Sequence, residues 1–412
     1  MKLQKFTYFM LAVLLLQSCM SGSYEGGATD LLGSEGEQVP VRVSIGDPSG
    51  GIVQPSGVQA KGSGPIDDFN QVDGKIVYVY AFNSDLFTSF AKTSEEDMLN
   101  TLVDGSIDNS GSKVGKKAVT RAGSRYLSWE NTRNELYYHS GSLSHIPYDF
   151  YAYYLDDLRV SEDDYIRTDD AVKIRVQIDG RRDLMSAKAE ITEEQLRQCA
   201  EDERLHAKEY SFSYFTGIRN ILPNFYFKHH LACLEFEVIP EYVLGARKQV
   251  TVASIKVFSK YKADFVVAEK SHPSQLGLRF DEDYTWLTLS EEDGTDIPDD
   301  KYNLQTMLEP EQAPVALPIG GSLLVAPQKD ALRALVRLKE TDEHGNPIAD
   351  VENEVMSSYT PVTGAYMFAP GNKYKVKFRI FGLTHVMANV TLEPWHKGGD
   401  LDVDTENDKP NL

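Results

Sequence analysis

The residue pattern predicts an all-β protein built from two β-sandwich domains in tandem, and three observations carry that prediction. Tyr 22 and Phe 18 greatly outnumber 3 Trp in 412 residues, and such side chains suit a pleated, half-buried surface. Short apolar runs recur with turn residues about every 8–12 positions, as in sandwiches. Strand–helix alternation, the mark of a parallel α/β sheet, is not seen. The length itself points to two or three domains, because single cores rarely grow past about 250–300 residues.

Composition narrows the function. Hydrophobic residues make up 41% and charged residues 25%, which fits a folded chain. Lys+Arg total 42 against Asp+Glu 62, a formal charge of −20. So acidic a surface repels phosphate backbones, which argues against nucleic-acid binding.

The elements follow in chain order. Lys2 and Lys5 precede an apolar run, Phe6 to Leu16, too short to span a bilayer and right for a signal-peptide core. Leu16-Gln17-Ser18-Cys19 resembles the lipobox of bacterial lipoproteins. That resemblance implies removal of residues 1–18 and lipidation of Cys19. The alternative is an ordinary secretory signal with a coincidental cysteine. Residues 19–38 are Gly/Ser-rich, as a flexible tether should be. Cys199 and Cys233 are then left, open to one disulfide or to two buried thiols.

Val39 to Ile45 alternates apolar and polar residues, a period-two strand signal. A Gly/Pro/Ser-rich stretch, residues 46–65, contains Lys61-Gly62. Lys75 to Phe82 is a nearly continuous apolar run, typical of a strand buried on both faces. Residues 83–145 read as loop-rich with short strands. Tyr148–Tyr154 and Val172–Ile178 read as strands. Thr192 with Gln195 has capping-box spacing, so a short helical insertion is predicted near 190–210, with Leu196, Cys199, His206 and Tyr210 on one face. The domain boundary falls at about 218, giving an N-terminal sandwich over 39–218 and a C-terminal one over 219–412. Phe225–Val238 is predicted as one long strand. Further strands are expected at Thr251–Phe258, Trp286–Leu289, Leu332–Leu338, Lys373–Phe381 and His385–Leu392, the last two joined by a glycine turn.

Taken together, lipobox, strand, Lys in a Gly/Ser loop and an Ile-Val-Tyr-Val-Tyr-Ala-Phe strand resemble the start of the fimbrillin-like family, the type V pilins of Gram-negative anaerobes. Phe225–Val238, Val315–Ile319 with Leu323–Pro327, and Phe368–Tyr374 with Leu392–Gly399 resemble later family segments in the same order. The resemblance implies transthyretin-like sandwiches and export as an outer-membrane lipoprotein. It also implies cleavage by a trypsin-like protease after Lys61, before Gly62. Release of the first strand would then open a groove for a strand from another fimbrial subunit, of the same or a different kind, with a role in adhesion. Physics makes that workable, since a sandwich lacking one strand exposes unpaired backbone groups beside an apolar groove.

No nucleophile elbow, zinc-protease pair or phosphate loop occurs in the sequence, so neither enzyme activity nor a cofactor is expected. Lys113–Lys117 reads as an exposed turn. His229-His230, adjacent on a strand, point to opposite faces and cannot share a metal. Asp281–Asp283 and Glu291–Asp300 lack the calcium-loop alternation and read as solvated acids. Trp129, Trp286, Trp395 and Tyr148–Tyr154 could stack on sugars, which leaves a second reading, a monomeric surface glycan-binding lipoprotein.

Overall fold

In the computed structural model the described residues are 38–46, 69, 72–85, 89–92, 100–130, 135–241, 248–270, 275–304, 315–357 and 365–393. The chain divides into Met1–Gln38 and a compact unit, Val39–Leu412. The fold of the second unit is all-β, with sheets packed as sandwiches. Among the described residues no helix is long and apolar enough to cross a membrane.

Among the described residues, four sheets build the unit. Sheet I runs in the order β10 (Asn224–Phe225), β1 (Ser44–Ile45), β5 (Ser124–Trp129), β4 (Lys116–Arg121), β2 (Ile76–Asn83), β6 (Tyr148–Tyr154), β9 (Met185–Lys188), β11 (Lys228–His229), with β3 (Thr101–Val103) beside β2. Its two outermost strands, β10 and β11, are only three residues apart in sequence, from Phe225 to Lys228. Three residues reach at most about 11 Å, so the sheet must curl until its two edges nearly meet. Sheet II is β17 (Leu317–Val325), β12 (Ala232–Pro240), β20 (Lys373–Gly382), β21 (His385–Glu393). Sheet III is β16 (Tyr284–Thr288), β13 (Lys248–Lys260), β18 (Arg333–Asp342), β19 (Pro347–Met356). Sheet IV is β15 (Gly277–Phe280), β14 (Lys262–Glu269), β8 (Ala171–Gln177), β7 (Tyr165–Arg167).

The apolar run at β2 has a simple cause. Val77, Val79 and Ala81 face one buried cluster, together with Phe150, Ala152 and Tyr154 of β6. Tyr80 and Phe82 face the other cluster, with Tyr151 and Tyr153. Both strands are therefore sandwiched between two cores, and neither face can be polar.

Three expectations need correction. Phe225–Val238 is not one strand but three, β10, β11 and β12, because the chain crosses from one edge of sheet I to the other and then enters sheet II. The helix expected over 192–210 is broken into α1 (Glu193–Arg197) and α2 (Arg204–Glu209), with a 3-10 turn at Glu201–Glu203 between them; α3 (Tyr214–Gly217) follows. The Thr192/Gln195 capping box is present. The apolar stripe stops at Cys199 and acidic Glu201–Glu203 replaces it, so no continuous face exists to bury. Lys116 departs from the exposed-turn reading: its side chain is fully buried and bonds both Asp108 carboxylate oxygens at 2.8 Å.

Cys199 and Cys233 are both free and buried. Burial pushes the Cys233 thiol up to about 12. His229 and His230 take different partners, His229 Nδ1 lying 2.6 Å from Asp183 Oδ2 and His230 Nε2 2.7 Å from Ser186 Oγ. Burial, reinforced by nearby His229 and Lys228, lowers His230 to about 3. The native ring stays neutral, whereas the unfolded one takes a proton near its ordinary value of about 6.5. Its contribution to stability is thus complete above pH 6.5 and lost as the pH falls toward 3, at about 1.4 kcal/mol per unit. Denaturant titrations should show about 3 kcal/mol lost between pH 6.5 and 4 from this residue, and His230→Gln should flatten that slope. Identical acid slopes for both proteins would contradict the assignment.

Candidate functional site

The segment of residues 39–46, at the start of the compact unit, is the part of the fold whose placement has chemical consequence. Its alternation is real: Val41, Val43 and Ile45 are at most 5% exposed, while Arg42 between them is exposed. The three apolar side chains join Phe69, Leu127, Tyr138 and Phe225 in one core. Burying each is worth about 1.5–3 kcal/mol as an upper figure. Regular strand geometry covers only Ser44–Ile45, shorter than the expected Val39–Ile45, with an isolated antiparallel bridge from Pro40 to Tyr137 ahead of it.

Backbone pairing nevertheless runs along both sides of the segment. Toward one flank, the Val41 N–H donates to the Leu136 carbonyl (2.7 Å), the Tyr138 N–H to the Val39 carbonyl (2.9 Å) and the Leu127 N–H to the Val43 carbonyl (3.1 Å). Toward the other, the Ser44 N–H donates to the Pro223 carbonyl and the Gly46 N–H to the Phe225 carbonyl, both at 2.9 Å. The Trp129 indole N–H adds a bond of 2.9 Å to the Val41 carbonyl. The segment runs parallel to β10 and antiparallel to β5. Taking it away would strand these donors and acceptors beside an apolar trench, a surface that favours strand addition.

The chain leaves this segment at Gly46 and is next described at Phe69. Lys61 and Gly62 lie between, outside the described residues, as do Cys19 and Trp395. Sequence reasoning found the segment itself but missed what holds it: Trp129, Leu136–Tyr138, Asn224 and Tyr226. Those partners are about 80–180 residues away, and pairing over such a distance leaves no local pattern to read.

Other candidate groups are absorbed by the fold. On β6, Tyr148, Phe150, Tyr151, Tyr153 and Tyr154 are all buried core side chains. Trp286 and Tyr284 pack against Phe258 with ring centroids 5.1 Å apart. Arg333 lies over both Phe258 and Trp286 and pairs with Glu354, so this cluster is capped by its own cation. In the acidic loop, Glu291 pairs with Lys301 at 2.7 Å and accepts from Tyr302 Oη. Asp293 accepts from the Thr295 hydroxyl and N–H, which holds its carboxyl below the usual range. Asp296 pairs with Arg181, and Asp299 with Lys339. Among the described residues no group of three His, Cys, Asp or Glu is placed to hold a metal ion.

The chain matches no family profile and no curated protein. Solved structures do match. One described as a cell adhesion protein of Bacteroides uniformis is 14% identical, with a TM-score of 0.43 over 87% of this chain and 99% of that one. A second, from Parabacteroides distasonis, is 11% identical at a TM-score of 0.38, covering 87% and 100%. The fimbrial anchor protein Mfa2 of Porphyromonas gingivalis is 10% identical at 0.31, covering 87% and 98%. At such identities and TM-scores, neither family membership nor function passes from them to this chain.

Proposed function

We propose that this chain is a cell-surface fimbrial subunit, or a tip or accessory component, that acts in adhesion. It is exported as an outer-membrane lipoprotein precursor through Cys19, cut after Lys61 by a trypsin-like protease, and joined to other subunits by strand addition. One observation carries the reading. Residues 39–46 form a backbone-paired segment with a buried apolar face that precedes a Gly/Pro/Ser-rich stretch, so a single cut in that stretch would leave the segment held by non-covalent contacts alone.

The intact segment occupies the groove and keeps the precursor from pairing. Once severed, it can exchange for an incoming strand that restores the same backbone bonds, with alternate side chains setting the register. The fold requires no cofactor for this.

Lys61→Ala tests the proteolytic step. Its expected outcome is a precursor that melts as the parent does but keeps its full electrophoretic size after exposure to a trypsin-like protease at a dose that converts the parent. Conversion of the variant to the same product would remove Lys61 from the account.

A further inference from the structure

The groove is selective at two positions that sit next to each other. Ser44 is buried, and its hydroxyl donates to Asn224 Oδ1 at 2.9 Å, with the Pro223 carbonyl 3.3 Å away as the alternative acceptor. Gly46 lies directly beneath Tyr226. A Cβ there would fall 2.4 Å from Tyr226 Cε1 and 2.6 Å from Asn224 Nδ2, well inside van der Waals contact. To clear a side chain, the Tyr226 ring, itself 37% exposed, would have to swing toward solvent and the Asn224 amide that accepts from Ser44 would have to shift. Three apolar sites alternate with this pair, those of Val41 and Val43 before Ser44 and that of Ile45 between Ser44 and Gly46. The trench therefore accepts an apolar residue at alternate positions, a small hydroxyl between the second and third, and glycine directly after the third.

Residues 394–412 do not meet that requirement. Their only alternating apolar pair is Leu401 and Val403. Seating these at the Val41 and Val43 sites puts Asp404 at the Ser44 site and Glu406 at the Gly46 site. Seating them at the Val43 and Ile45 sites puts Asp402 and Asp404 there instead. In either register a carboxylate must enter the buried Ser44 site, where the Asn224 amide and the Pro223 carbonyl bring no positive charge, and a second one must displace Tyr226.

We propose that the strand this groove takes carries β-branched residues at alternate positions, Ser or Thr before the third and Gly after it, a pattern that residues 394–412 of a second copy lack. Tyr226 and Asn224 are the residues that select it. The inference rests on strand exchange at this groove and names the partner's chemistry.

Synthetic strands test it on the full chain after cleavage at the 46–65 stretch, by fluorescence anisotropy. A peptide of residues 38–46 should bind. The same peptide with Gly46→Val should bind at least tenfold more weakly, and a peptide of residues 399–408 should bind no better than that. On a Tyr226→Ala chain the penalty of Gly46→Val should shrink to under threefold. Equal binding of the parent and Gly46→Val peptides, or tight binding of 399–408, would overturn the inference while leaving strand exchange intact. If no peptide binds the cut chain, strand exchange fails and the partner with it. The pocket is then judged separately in the uncut chain, where Gly46→Val should lower the melting temperature and Tyr226→Ala should offset that loss.

Discussion

Val43→Asp is expected to unseat the first strand without any protease. Val43 is 1% exposed and shares its core with Phe69, Leu127, Tyr138 and Phe225. Those neighbours bring no cation to a carboxylate, so either the charge is buried unpaired or the segment leaves. Breaking the balance of a buried charge costs about 3–5 kcal/mol, a large share of the roughly 5–15 kcal/mol that holds a typical domain together. Departure is the lower-energy course, since the segment is one short strand at the start of the compact unit. The bonds to Leu136, Leu127, Tyr138, Pro223, Phe225 and Trp129 would then be lost together. Limited proteolysis should show residues 39–46 cut readily in Val43→Asp, with the remaining unit still folded. Arg42→Asp, which places the same charge one residue away on the exposed side, should behave as the parent. If both variants resist cleavage equally, the segment is not seated as described.

The second large effect concerns Arg167. Its guanidinium makes two bonds of 2.8 Å to the Asp104 carboxylate and two more to the Lys113 carbonyl, at 2.8 and 3.1 Å. It also lies 5.2 Å from the centre of the Tyr80 ring. Both charged side chains are almost wholly buried. Burial opposes the charge, but the bonds to Asp104 outweigh it and hold the Arg167 pKa above its ordinary value. Arg167→Ala leaves the Asp104 carboxylate buried, with the Ser106 N–H at 3.4 Å in place of a guanidinium at 2.8 Å. The expected loss is about 3–5 kcal/mol, or roughly 10 °C in melting temperature at about 2–4 °C per kcal/mol. Replacing both partners, Arg167→Met with Asp104→Leu, should recover most of that loss. A single variant that melts within a degree of the parent would show that the pair does not anchor β7 to the Asp104 turn.

Much of the fold is legible where burial leaves a strong local pattern. β2 and β6 read as strands because each lies between two cores, and the β20–β21 hairpin is marked by its glycine turn. β14 and β19 escape such a reading. β19 lies at the edge of sheet III, where Asp350, Glu352 and Glu354 pair with Arg337, Lys256 and Arg333. Its polar face answers a neighbouring strand, and nothing within its own sequence announces that. Phe225–Val238 is apolar enough to suggest one strand, yet the closure of sheet I divides it into three. Lys116 reads as exposed because composition cannot place Asp108 beside it. The site shows the same division: Val39–Ile45 is legible by its alternation, whereas the Tyr226 cover on Gly46 emerges only when β10 comes alongside.

The most direct test of the central claim is mass spectrometry of the full chain after a trypsin-like protease, in the presence of a labelled peptide of residues 38–46. A new amino terminus at Gly62, loss of the native first strand and uptake of one labelled peptide per chain are expected. A chain that is not cut within 46–65, or that is cut there and keeps its own strand against an excess of peptide, would contradict that claim.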